Sequence, residues 1–305
     1  LNADSKFNWS SSPTVIGSAT GAGAPFDGYM AQAVMIDGLQ LAPTDFGEVT
    51  EDGFWQINNV SGLTFGTNGF LIEGGSAMAA GTDSSGNSND YTKSGSIIST
   101  LDSPTNDSTN EYGNYCTLSP LWQTRSGTSK SILSNGNLTV KTNGSTIGEA
   151  LGSIAADSSG KSTYETTVTA VGGNCLIGFA GSTYIDGNAT FRVAWRNNGI
   201  VYFGSSSTYS SSDTYTTGDV VRCELNMTTG ALQFFKNGTL ASDASSPSFA
   251  MHTNVQDSGW LPYIGLSTNA SSGVTCNFGA SSFAATPTSG FLPIATQNLP
   301  EPAVI

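Results

Sequence analysis

The run Gly218-Asp219-Val220-Val221-Arg222-Cys223-Glu224-Leu225-Asn226-Met227-Thr228-Thr229-Gly230-Ala231-Leu232-Gln233-Phe234-Phe235-Lys236-Asn237-Gly238 decides the fold. Val220 to Leu225 has the β-branched, apolar content of a strand, and Asn226 to Gly230 is a polar turn ending in glycine. The chain returns as a second strand from Ala231 to Phe235. Asn237-Gly238 follows, the dipeptide that accepts positive φ at both central positions of a type I′ hairpin turn. Alternation places Leu232 and Phe234 on one face and Gln233 and Phe235 on the other, so at least one face is core.

The rest of the composition agrees with an all-β reading. The 305 residues include 37 glycines, and only 11% are charged, against roughly 25% in an average soluble domain. Few helix formers and no long apolar stripe of helical period leave little from which to build helices. The length suffices for two ordinary domains. The net charge is −13, with ten basic residues scattered singly, so no basic stripe is available to neutralise phosphates and no nucleic-acid partner is expected. No apolar run approaches the roughly 18 residues of a membrane span, and no membrane insertion is expected. Leu1 to Ser12 lacks the pattern of a signal peptide, as a mature secreted chain would too. The low charge density and the neutral Ser/Thr/Asn content suit a protein that works outside a cell or on a particle. Cys116, Cys175, Cys223 and Cys276 show no metal-site spacing. Buried thiols are expected, with a disulfide among them as the alternative.

Further phrases repeat the strand-and-turn pattern: Leu261-Pro262-Tyr263-Ile264-Gly265-Leu266 and Cys276-Asn277-Phe278-Gly279 follow Gly218-Asp219-Val220-Val221 and Phe235-Lys236-Asn237-Gly238 in order. In that order they resemble a SPRY domain, assigned here to residues 136–285. The resemblance implies an antiparallel, concanavalin A-like β-sandwich that recognises partners with its loops and has no catalytic machinery. The family usually has Asp where this chain has Asn226 or Met227, which weakens a turn contact and leaves the fold.

Upstream, Pro25 to Leu41 followed by Pro43-Thr44-Asp45-Phe46-Gly47-Glu48 resembles the closing strand and turn of a laminin-G type sandwich, and residues 1–50 are assigned as that closing portion. Residues 51–135 are expected to form an extended connector packed on a neighbour. It contains a second laminin-G-like opening, in which Gly69-Phe70-Leu71-Ile72-Glu73 is a strand. Residues 286–305 are punctuated by proline, which removes strand donors, and are expected to be a linker or edge segment. The order of these segments, with Asp102-Ser103-Pro104-Thr105-Asn106 between them, resembles structural proteins of tailed bacteriophages. That resemblance implies a tail-fibre or other virion-surface protein. Its expected partners are other virion proteins or copies of itself in a homo-oligomer such as a trimer, together with a host-surface glycan or protein. A secreted carbohydrate-binding lectin unrelated to a virion is the alternative.

Three groups of residues are candidates for function. The loop Gly204 to Tyr215 offers Tyr209, Asp213 and Tyr215, and Tyr184 and Asp186 precede it; tyrosine and serine together are the chemistry of many binding loops. Trp195 and Trp260 read as core. Asp83, Asn87, Asn89 and Asp90 gather oxygen ligands that could hold Ca²⁺, although such loops also bond to their own backbone. No other cofactor is expected. The acidic residues occur singly, so no glycosidase pair stands out. His252 is the only histidine and is expected in a loop, without a nucleophile elbow to serve. The chain therefore reads as a binding protein, not an enzyme.

Overall fold

The structure, a computed structural model, describes residues 14–18, 24–26, 28–49, 55–95, 97, 99–103, 113–123, 131–142, 148–181, 192–203, 207–245, 259–267 and 272–299. The chain divides into two compact units, Leu1–Thr100 and Leu101–Ile305.

In the N-terminal unit the strands are β1 (Gln32–Met35), β2 (Gly47–Val49), β3 (Trp55–Ile57) and β4 (Phe70–Glu73), followed by the short helix α1 (Ser76–Ala80). β1 pairs antiparallel with β4, Gln32 opposite Glu73 and Met35 opposite Phe70. This pairing crosses residue 50, where the sequence suggests a division. β2 and β3 form a separate hairpin. A small core of Val60, Phe65 and Leu71, with Val34, Ile36, Phe46 and Leu63 against it, fills the unit. Gly81 ends α1 in the left-handed region, at φ 78°, where a side chain would be strained.

The C-terminal unit contains β5 (Leu118–Gln123), β6 (Ser131–Ser134), β7 (Thr139–Thr142), β8 (Gly148–Gly152), β9 (Lys161–Ala170), β10 (Asn174–Gly181), β11 (Arg192–Arg196), β12 (Ile200–Phe203) and β13 (Ser207–Ser210). It continues with β14 (Val220–Asn226), β15 (Ala231–Lys236), β16 (Thr239–Leu240), β17 (Trp260–Ser267), β18 (Gly273–Asn277) and β19 (Leu292–Pro293). One sheet has the order β13-β12-β11-β10-β17-β8-β5 and the other β16-β15-β14-β9-β18-β7-β6, with β19 beside β9. The fold is an antiparallel β-sandwich. β5 and β6 belong to its sheets, so the sandwich takes in residues before 136. No helix among the described residues is long and apolar enough to cross a membrane.

The deciding hairpin forms as its sequence predicts. Val221 faces Lys236 and Asn226 faces Ala231. Asn226 Oδ1 accepts from Thr228 N (3.0 Å) and Thr229 N (3.3 Å), so its amide oxygen holds the turn. Asn237 and Gly238 have φ of 50° and 81°. Leu232 and Phe234 are fully buried, while Gln233 and Phe235 on the opposite face are half-buried.

Aromatic side chains from both sheets meet in the core. Tyr164 on β9 packs edge-on against Phe179 of β10 (5.3 Å) and stacks on Phe278 (5.5 Å). Its hydroxyl donates across the sandwich to the Gly178 carbonyl. Trp195 and Trp260 are buried as expected. All four cysteines are buried free thiols. Burial pushes Cys116 up to about 11 and Cys175 and Cys276 to about 12, and raises Cys223 further, so none is a thiolate at neutral pH.

The proline-punctuated tail is a strap on the outward face of the β16–β6 sheet. Ala284 N donates to Glu165, Thr288 N donates to Glu224 Oε1 (2.9 Å), and Arg222 Nη1 donates to Ala285 O (2.9 Å). Arg222 Nε bridges to Glu224 Oε1 at 3.0 Å, and its guanidinium lies 4.4 Å from the centre of the Phe235 ring. Burial pushes the Glu165 carboxyl up, against the opposing pull of the Ala284 N–H, Asn277 and Arg222. β19 then runs parallel to the start of β9, Leu292 beside Ser162, and Ile294 and Ala295 are buried. Removing one partner of a buried pair strands the other charge. Arg222→Ala is therefore expected to destabilise the sandwich by about 3 to 5 kcal/mol, measured by urea denaturation. A loss no larger than that of an exposed control such as Lys141→Ala would show that the pair does not hold the strap.

Candidate binding surface

The loop singled out from sequence is braced from within. Its first part is the edge strand β13, paired with β12 so that Ile200 faces Ser210 and Phe203 faces Ser207. Tyr209 is half-buried and donates to Ala244 O at 2.8 Å. Burial, then the charges of Asp243 and Asp213, push this phenol up to about 12, so it remains a donor. Asp213 Oδ2 accepts from Asp243 N (2.9 Å) and Ala244 N (3.1 Å), and the Asp243 carboxylate accepts in return from Ser212 N. These bonds clasp the stretch after β13, at the edge of one sheet, to the stretch after β16, at the edge of the other.

Tyr215 corrects the sequence reading. It is 3% exposed, its ring meets Trp195 edge-on at 4.7 Å, and its hydroxyl donates to Cys175 O (2.6 Å) and Trp195 O (2.9 Å). It is a core residue, because its ring packs on Trp195 and its own hydroxyl, which must be paired when buried, finds acceptors inside the sandwich. Tyr184, Asp186 and His252 lie outside the described residues. The groups that the braced loop leaves facing outward are hydroxyls, those of Thr208, Ser210, Ser212 and Thr214.

Beside this rim lies a polar cluster that was not singled out from sequence, on the outward face of the β13–β5 sheet. Arg192 and Arg196 sit four apart on β11 and so share a face, with Ala194 between them opposite Tyr202 of β12. Arg192 Nη1 donates to Tyr263 Oη (3.0 Å) and lies 3.5 Å from Glu149 Oε1, while Tyr263 Oη donates to the same carboxylate oxygen at 2.7 Å. Arg192 also stacks 4.8 Å from the centre of the Tyr202 ring. Arg196 donates to Tyr202 Oη (3.2 Å) and to Asn174 Oδ1. Glu149 and Tyr263 are buried beneath, whereas Arg192, Arg196 and Tyr202 are half-buried. The signal was legible in part: two of the ten basic residues recur at strand period on one face. Glu149 and Tyr263, which hold them, come from β8 and β17 and give no local sign.

The Asp83 loop is self-bonded. Asp83 Oδ1 accepts from Leu71 N and Ser85 N, both at 2.9 Å, and Oδ2 accepts from Ser85 Oγ (2.8 Å) and Asn89 N (2.9 Å). Asp90 Oδ1 accepts from Asp83 N. Asn87 and Asn89 both donate to Gly69 O. The Asp83 oxygens thus face donors that a cation would have to displace. Burial would raise its pKa, yet the bonds from Leu71, Ser85 and Asn89 outweigh that and hold it below the usual carboxylate value. The stability it contributes is therefore complete above the unfolded pKa and is lost as pH falls through the lower folded one.

A cavity of about 330 Å³ lies at the start of β9, lined by Asp157, Lys161, Ser162, Thr228, Leu292 and Asn298 among others. Among the described residues no group of three or more His, Cys, Asp or Glu side chains could hold a metal ion. In the sandwich the described carboxylates at strand positions, Glu149, Glu165 and Glu224, are each held by arginine, tyrosine or backbone N–H partners. The stretch from the first residue of β9 to just beyond β18 has a known counterpart. Residues 161–281 match the SPRY domain. The crystal structure of the SPRY domain of human HERC1 is similar at 20% identity and TM-score 0.39, over 48% of this chain and 91% of that one. A second crystal structure of a human SPRY domain is similar at 20% identity and TM-score 0.40, over 51% of this chain and all of that one. No curated protein matches. SPRY domains are usually protein–protein interaction modules.

Two outcomes are expected. Asp83→Asn should flatten the acid-side loss of order in the N-terminal unit, followed through the amide signals of Leu71, Ser85 and Asn89 on lowering pH. An unchanged profile would remove Asp83 as the group responsible. Tyr215→Ala should cost about 3 to 5 kcal/mol of folding stability in urea denaturation. A stable variant altered in binding alone would return Tyr215 to the surface.

Proposed function

We propose that this chain is a non-enzymatic structural and adhesive protein of a bacteriophage virion, in a tail fibre or elsewhere on the particle surface. Its SPRY sandwich would dock a host-surface glycan or a partner protein. The observation that carries the binding role is the buttressed pair Arg196 and Tyr202, half-buried and held, with Arg192, over the buried Tyr263 and Glu149. Arginine and tyrosine dominate interface hot spots, and side chains locked by their neighbours lose little entropy on binding. Tyr202 lies opposite Thr208 in the strand register, so the hydroxyl rim continues the same face and offers hydrogen bonds around the anchor. The usual role of SPRY domains supports docking. The virion context rests on the order of sequence segments, and assembly with copies of itself or other virion proteins follows from that context. A secreted lectin is the second reading, favoured by the cavity at Lys161, whose size and hydroxyl- and amide-bearing wall suit a small saccharide.

The test is adsorption of the purified chain to host cells. Arg196→Ala combined with Tyr202→Ala is expected to weaken adsorption at least about tenfold while circular dichroism shows the sandwich still folded at the assay temperature. Tyr209→Phe, away from the pair, should adsorb as the unaltered chain does. Undiminished adsorption of the double variant would sink the site. A stable monomer that binds saccharide, together with particles that antibody against the chain does not label, would favour the lectin.

A further inference from the structure

The hairpin of β2 and β3 is amphipathic, and its apolar face is open. Gly47 pairs with Ile57, Glu48 with Gln56 and Val49 with Trp55. Directly paired residues share a face, so Val49, Trp55 and Ile57 surround Gly47 on one side, and Glu48 and Gln56 occupy the other. Val49, Trp55 and Ile57 are 64%, 49% and 48% exposed. None of them belongs to the small core of the N-terminal unit. The Trp55 indole is pressed onto Gly47, where a methyl group would collide with it and with the Gln56 carbonyl. The ring is therefore held flat, with its other side outward. Asn58 fixes the base of the hairpin through N–H bonds to Phe46 O (2.9 Å) and Thr44 O (3.0 Å). Two strands cannot cover an apolar face by themselves, and a contiguous exposed patch of this kind marks a contact surface.

Charge selects the occupant. Residues 1–100 carry ten Asp and Glu against two Lys, a net −8 of the chain's −13. Asp45 and Glu48 are exposed at and behind the hairpin. A second copy of the chain would bring like charge to like. Among the described residues a sugar ring would find no hydrogen-bonding side chain on the indole's face of the two strands, since its neighbours there are valine and isoleucine. We propose that this face docks a partner protein whose contact surface is apolar and edged with lysine or arginine. The inference is independent of the SPRY segment.

The test uses the full chain and a fluorescein-labelled peptide of alternating valine and lysine, with its valine–glutamate counterpart as control, followed by fluorescence anisotropy at low and high salt. The valine–lysine peptide is expected to bind, more weakly as salt rises. Trp55→Ser should weaken it at least about tenfold, and Val49→Ser, which keeps the indole, should weaken it less. Glu48→Gln should reduce the salt dependence. Leu121→Ser, an exposed aliphatic on a different strand, should change nothing. Near-ultraviolet dichroism and the thermal midpoint check folding, and Val49→Ser carries the test if Trp55→Ser does not fold. Absence of binding, equal binding of both peptides, or self-association in sedimentation velocity that Trp55→Ser abolishes would each overturn the proposal.

Discussion

The sandwich turns on Tyr164. From β9 its ring lies between Phe179 and Phe278, and its hydroxyl reaches the Gly178 carbonyl in the opposite sheet. One side chain thus fills the interlayer space and finds a partner for its own buried hydroxyl. Trp195 does the same nearby, packing against Phe234 and donating its indole N–H to Asp213 O. Spacing between the sheets is set by these contacts, and everything on the outward faces inherits its position from them.

A chain with so few charges places several of them where backbone must be held. Glu165, Arg222 and Glu224 face outward from β9 and β14 and take up N–H and C=O groups of Ala284, Ala285 and Thr288, the part of the strap that precedes β19. On the other sheet Glu149 and Arg192 play the corresponding part beneath Tyr202 and Arg196. Buried ion pairs are poor sources of net stability but strict about geometry. Their effect here is to fix which segment lies where, and on the second sheet to present one tyrosine and one arginine in a single orientation.

Local grammar made much of the fold legible. The hairpin from Val220 to Lys236 and the Asn237-Gly238 turn could be read because strand alternation and positive φ are properties of neighbouring residues. The burial of Trp195 and of the cysteines followed from their strand context. Tyr215 could not be read in this way. Its neighbours at strand spacing, Asp213 and Thr217, are polar, and it is drawn inward by carbonyls of β10 and β11 that lie 20 and 40 residues away. The strap was equally opaque, because prolines erase periodicity and its anchors look like ordinary outward-facing charges until the sheets are assembled. The division between residues 50 and 51 rests on the likeness of Pro25 to Glu48 to a closing strand and turn, yet β1 finds its partner in β4 and ties the two stretches together.

The parallel contact between β19 and the beginning of β9 joins positions about 130 residues apart along the chain. During synthesis the strands from β9 to β18 emerge long before the segment that seals the first of them. Glu165 and Glu224 lack their strap partners until Ala284 and Thr288 have been made. Completion of the layer is therefore a late, non-local step, of the kind that slows folding in β topologies. A piece cut at the borders of the matched domain would forgo both the closing strap and the four strands β5 to β8 that flank it in space.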